Sequence, residues 1–126
     1  MEPLQAILHR LTFAELERWA GKKIVDRGRS YLKRVDGLRR HGEDDLVAWV
    51  SGTEDYATLV RLDPESQHSW YCTCPYEDGP CKHAVAVILA AAQQVKDQRE
   101  IKELDEDDDL SLMLFGDPED DLDEEE

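Results

Sequence analysis

Residues 72–83 read Cys-Thr-Cys-Pro-Tyr-Glu-Asp-Gly-Pro-Cys-Lys-His, and this stretch holds every cysteine of the chain. In an extended strand, residues i and i+2 point to the same face, so Cys72 and Cys74 can offer two sulfurs to one ion. The proline and glycine residues that follow favour a loop that turns back and delivers Cys81 and His83. Three thiolates and one imidazole complete a tetrahedral site. The sequence therefore predicts one structural Zn²⁺ ion.

Other interpretations of this cluster fit less well. An odd number of grouped cysteines is typical of reduced thiols or metal ligands rather than of disulfides. Soft sulfur ligands favour zinc over magnesium or calcium. Four protein ligands leave no open position for water, which argues against a catalytic zinc. A Cys–His nucleophile pair is disfavoured because a metal-bound thiolate is already occupied.

The segments on either side of the cluster differ in their periodicity. Upstream, runs rich in β-forming residues at 46–50, 56–62 and 67–72 are separated by turn residues, which predicts three to four strands in an antiparallel meander. Downstream, Ala84 to about Lys102 is predicted to be helical. The first part of this segment is apolar nearly all round, so we expect it to pack into the core.

The N-terminal part of the sequence is helical in pattern. Apolar residues recur at helical spacing within 3–11, and Thr12 with Glu15 predicts a capping box for a second helix. A third helix is predicted from Lys22 to about Val35. Residues 36–37, Asp-Gly, then indicate a turn.

The cluster and its setting resemble the SWIM zinc-finger family, whose signature is Cys-x-Cys, a variable gap and Cys-x-His. An aromatic strand with Trp70 and Tyr71 precedes the ligands, and an apolar helix follows them. Residues 27–31, Arg-Gly-Arg-Ser-Tyr, lie ahead of the meander as in bacterial SWIM proteins. The resemblance spans residues 13–92 and implies a zinc-dependent binding module whose targets are nucleic acid or protein.

We therefore expect an α+β fold: N-terminal helices, a small antiparallel β-meander, a SWIM-type zinc site leading into a core α-helix, and a disordered acidic C-terminal tail. Residues 1–103 would form the zinc-finger domain and residues 104–126 the tail. The sequence lacks a run of about 18 apolar residues and a secretory pattern, so we expect a cytoplasmic protein with no membrane partner.

The tail is the most acidic part of a chain whose net charge is −15. Residues 101–126 hold one basic and fourteen acidic residues, interrupted by an apolar island. Acidic segments with embedded apolar side chains are typical of regions that fold on a protein partner. The Leu-x-Leu-x-Leu alternation is similar to the hexapeptide that docks on the bacterial sliding clamp, with Asp109 where that motif has Gln. The candidate partner-binding residues are Leu110, Leu112, Met113, Leu114 and Phe115.

Residues 1–40, by contrast, hold ten basic and five acidic residues. Clustered Lys and Arg favour contact with nucleic-acid phosphates. The same pattern also fits the solvated face of an amphipathic helix, and the acidic tail opposes nucleic-acid binding. The candidate nucleic-acid-binding residues are Lys22, Lys23, Arg27, Arg29, Lys33, Arg34, Arg39 and Arg40.

These patterns predict a non-enzymatic zinc-binding adaptor, a protein–protein interaction module acting in nucleic-acid transactions such as replication, repair, recombination or transcription. The alternative is direct DNA or RNA binding through residues 22–40, regulated by the acidic tail. An enzyme has the least support, because the sequence shows no phosphate loop, no nucleophile with an oriented base and no open metal site.

Overall fold

The computed structural model describes residues 4–42, 44–63, 67–76, 79–105 and 107–115. The helices are α1 (Leu4–Arg10), α2 (Phe13–Ala20), α3 (Lys22–Ser30), α4 (Lys82–Lys96) and α5 (Asp109–Phe115), with one 3₁₀ turn at Leu32–Arg34. The strands are β1 (Val35–His41), β2 (Asp45–Ser51), β3 (Asp55–Arg61) and β4 (Ser69–Cys72). The predicted α+β class is confirmed.

The four strands form one antiparallel meander in the order β1-β2-β3-β4. Helix α4 packs against one face of this sheet, and α1 and α3 pack on α4. Alternate residues of β2, Leu46, Ala48 and Val50, face α4 and are fully buried. The expectation of a core helix after the cysteine cluster is therefore correct, because the apolar side chains of α4 have neighbours on both the sheet and the helical side.

The other face of the sheet is also apolar. Val47 and Ala57 form a second buried cluster together with Leu104 and Leu110 from the C-terminal region. The sequence predicted disorder from residue 104 onward, whereas Asp109–Phe115 forms α5 and contacts β2 and β3. The physical reason is that the outer sheet face offers apolar surface against which Leu110 is buried. Residues 116–126 lie outside the described residues.

Three predicted boundaries differ from the structure. Helix α3 ends at Ser30 rather than near Val35, because the chain tightens into the 3₁₀ turn and Val35 pairs with Val50 of β2. The predicted Asp36-Gly37 turn lies inside β1, where the register shifts between Asp36 and Arg39. Helix α4 ends at Lys96 instead of continuing to residue 102, and Gln98 has a positive φ of 62°.

Within the described ranges, no helix has the length and apolar character needed to cross a membrane.

Candidate metal centre

Four predicted ligands come from two adjoining elements. Cys72 is the last residue of β4, and Cys74 follows two residues later. Cys81 caps the N-terminus of α4, and His83 lies in its first turn. Between the two pairs, Gly79 has a φ of 142°, a conformation that side-chain-bearing residues rarely adopt. The loop thus brings the two ligand pairs together, as the spacing predicts.

The distances within the cluster fit a single ion. One ligand atom from each of Cys72, Cys74, Cys81 and His83 lies within 4.8 Å of the others. Nδ1 of His83 is 3.6 Å from Sγ of Cys72. Bond lengths of about 2.3 Å to sulfur and about 2.0 Å to nitrogen place those two atoms about 3.5 Å apart in a tetrahedron. The cluster therefore suits one zinc ion in a closed Cys₃His site.

The electrostatics of the thiols lead to the same conclusion. Hydrogen bonding from Cys81, supported by His83 and Thr58, lowers the pKa of the Cys72 thiol to about 4 against the opposing effect of burial. The same contact with Cys72 raises the pKa of Cys81, and burial raises that of Cys74. Three thiolates this close repel one another, so a divalent cation is needed to stabilise all three together.

The imidazole of His83 is held by aromatic contacts. The Tyr31 ring meets it edge-on at 5.5 Å between centroids, and the Tyr56 ring is tilted against it at 4.7 Å. Its Nε2 is buried and has no hydrogen-bond partner among the described residues. Nδ1, 3.6 Å from Sγ of Cys72, is the nitrogen that faces the cysteine sulfurs and is placed to bind the metal, while packing rather than a second hydrogen bond orients the ring.

The site belongs to the class of closed, structural zinc centres, in which protein ligands occupy all four positions. The family model described as "SWIM zinc finger" matches residues 59–92, which include β4, the ligand loop and the first turns of α4. The SWIM-type zinc finger predicted from the sequence is thereby confirmed for this segment. No curated protein and no solved structure matches the chain.

Two of the candidate nucleic-acid-binding residues already form ion pairs within the protein. Lys22 pairs with Asp26 at 3.5 Å, and Arg40 pairs with Glu103 at 2.8 Å. Arg39 is half-buried and donates to the carbonyl of Leu38. The remaining candidates are exposed and form no ion pair within the described residues: Lys23, Arg27, Arg29, Lys33 and Arg34.

The apolar island is divided between two faces of α5. Leu110 is buried against the sheet, and Leu114 packs against the same cluster. Leu112, Met113 and Phe115 are 42%, 55% and 40% exposed. The Leu-x-Leu-x-Leu alternation is therefore not presented on one face, because residues i and i+4 of a helix share a side that i+2 does not.

Sequence reasoning did not single out Thr58 or Lys82 at the site, nor a buried histidine outside the ligand set. Thr58 lies opposite Cys72 in the β3–β4 pair, with Oγ1 3.3 Å from the cysteine sulfur. Lys82, between two ligands, places its ammonium 4.6 Å from the centroid of the Tyr31 ring. That histidine, His68, is buried and accepts a hydrogen bond from the Asp63 amide. Only Lys82 has a sequence signal, which is its position between Cys81 and His83.

Proposed function

We propose that this protein is a non-enzymatic zinc-binding adaptor, a cytoplasmic protein–protein interaction module that acts in nucleic-acid transactions such as replication, repair, recombination or transcription. The observation that carries this proposal is the closed site. Four protein ligands leave zinc no position for a substrate or a water, so the metal contributes folding free energy rather than chemistry. Function then lies on the surfaces that the zinc site positions.

The surface that best fits a protein partner is on α5. Leu112, Met113 and Phe115 remain exposed although Leu110 of the same helix is buried. Carboxylates of Asp105, Asp107 and Asp109 lie nearby in sequence and are exposed. An apolar helix face with an acidic surround is complementary to an apolar groove with a basic rim.

The test is affinity purification with three forms of the chain. The full chain should capture a defined partner, and Leu112→Ser combined with Met113→Ser should abolish capture while zinc stays bound. Phe13→Ser is the matched control, because Phe13 is 50% exposed but lies on α2. Retention of the partner by the α5 double variant would show that this helix is not the interaction surface.

Direct binding of DNA or RNA through residues 22–40 is the second candidate function. Its support is the set of exposed cations on α3 and the 3₁₀ turn that have no ion pair within the described residues. The acidic residues after Phe115 would compete with phosphate for these cations. A chain ending at Phe115, which keeps α5, should bind nucleic acid more tightly than the full chain and less tightly as salt rises. A gel shift that stays negative with this shortened chain would reject the candidate.

A further inference from the structure

Three cations from three elements surround one tyrosine beside the zinc ligands. The Lys82 ammonium lies 4.6 Å from the centroid of the Tyr31 ring, and the Arg34 guanidinium carbon lies 5.3 Å from it. Arg27 precedes Tyr31 by four residues and so shares its side of the chain around the end of α3. These cations come from α3, the 3₁₀ turn and the first residue of α4.

No ion pair engages any of the three cations within the described ranges. Among the residues with described positions, no carboxylate lies within ion-pair distance of Arg27, Arg34 or Lys82. Other cations of this chain do have such partners, as Arg40 has Glu103 and Arg61 has Asp45. Asp36, Asp55 and Asp109 line a pocket with Arg34 but lie beyond ion-pair distance of it. Like charges held close together repel one another, so an oxyanion at this point would be stabilised by all three.

Packing fixes α3 against α4, the helices that carry Arg27 and Lys82. A Cβ at Gly28 would meet Cγ1 of Val85 at 2.5 Å and the carbonyl oxygen of Lys82 at 3.1 Å. At Gly28, next to Arg27, the backbone of α3 therefore lies in direct contact with the Val85 side chain of α4. The edge-on contact of Tyr31 with His83 ties the same region to a zinc ligand. The backbones that carry Arg27 and Lys82 are thus fixed relative to one another before any ligand arrives, which lowers the entropic cost of binding.

We infer that Arg27, Arg34 and Lys82 form a phosphate-contact site for the backbone of a nucleic acid, at the junction of α3 and α4 directly beside the zinc centre. This inference rests on the second candidate function, and it places the nucleic-acid contact on a smaller part of the basic surface. The centre of the basic surface is this junction, which includes Lys82, rather than the whole stretch 22–40. Lys22, Arg39 and Arg40 are outside it because their side chains are already engaged.

The experiment measures binding of the full zinc-loaded chain to a labelled DNA oligonucleotide, single-stranded and duplex, by fluorescence anisotropy over a range of salt concentrations. Lys82→Gln should weaken binding by about tenfold at low salt and reduce the slope of log K against log salt by about one. Lys96→Gln is the matched control, because it removes one exposed lysine from the other end of the same helix. Arg34→Gln should act like Lys82→Gln, and equal zinc content of all variants shows that the fold is retained.

The outcomes separate this site from the function on which it rests. If Lys82→Gln and Lys96→Gln weaken binding equally, nucleic-acid binding stands and the junction site is overturned. If inorganic phosphate competes at millimolar concentration but neither oligonucleotide binds, the site takes a free anion and the nucleic-acid assignment is overturned. If the wild-type chain binds neither probe, both the site and the second candidate function are rejected.

Discussion

Oγ1 of Thr58 lies 3.3 Å from Sγ of Cys72, directly across the β3–β4 pair. Thr58 is fully buried, and a metal-bound thiolate can only accept, so the hydroxyl must donate to the sulfur. This contact connects the sheet to the metal centre. It stabilises negative charge on Cys72 and orients this ligand.

Replacing Thr58 by valine should lower the zinc affinity, because the shape is kept while the donor to the Cys72 thiolate is lost. Hydrogen bonds to metal ligands typically change affinity by about 10–100-fold. Competition with a chromophoric chelator measures the affinity, and the cobalt–thiolate charge-transfer band of the Co²⁺-substituted protein should shift. Thr58→Ser keeps the hydroxyl and should behave like the wild type. Equal affinities for the valine and serine variants would remove Thr58 from the site.

Removal of the metal should unfold the region from about Trp70 to Leu89. Zinc contributes on the order of 10 kcal/mol to the folding of small closed sites. A strong chelator, or Cys81→Ser, should therefore reduce the circular dichroism signal of α4, and added zinc should restore it only in the chelated wild type. Purified protein that contains no zinc and keeps its spectrum in chelator would contradict a structural metal.

Helix α5 should detach when its buried contact is removed. Leu110→Asp places a charge in a position that is 1% exposed, whereas Leu112→Asp places the same charge at one that is 42% exposed. A buried carboxylate without a partner is too costly to retain. Amide hydrogen exchange over 109–115 should accelerate in the Leu110 variant and stay slow in the Leu112 variant. Identical exchange in both would mean that α5 is not held by the sheet.

His68 should make stability depend on pH. Burial lowers the pKa of its imidazole below the ordinary value of 6.5. The unfolded chain then takes up this proton at a higher pH than the folded chain, so the contribution of His68 is complete above about pH 6.5 and is lost as the pH falls below it. Urea unfolding at pH 7.5 and 5.5 should show a larger loss for the wild type than for His68→Asn, which keeps an acceptor for the Asp63 amide. Protonation of the zinc ligands affects both proteins and cancels in the comparison.

The metal centre could be predicted from the sequence because its ligands are local. Strand geometry places Cys72 and Cys74 on one face, and Cys81 and His83 follow a short loop in the first turn of a helix. The residues that support the ligands could not be predicted in this way. Thr58, Tyr56 and Tyr31 reach the site through strand register and helix packing, which depend on contacts between segments distant in sequence.

The C-terminal region shows why composition alone was insufficient. Fourteen acidic residues in 101–126 are typical of disorder, because charge repulsion opposes compaction. The outer face of β2 and β3, however, carries apolar side chains that need cover. Leu104 and Leu110 provide it, and the backbone of Arg40 pairs with that of Lys102 and Leu104.

The sequence by itself determined the zinc ligands, the α+β class and the apolar helix that follows the ligands, since each depends on residue types at short, fixed spacing. Tertiary structure alone decided which charges are neutralised, which apolar side chains stay exposed on α5, and that Lys82 joins Arg34 around Tyr31. The physical reason is that side-chain burial and ion pairing are properties of surfaces in contact. Those surfaces form only when the meander, α3 and α4 pack together.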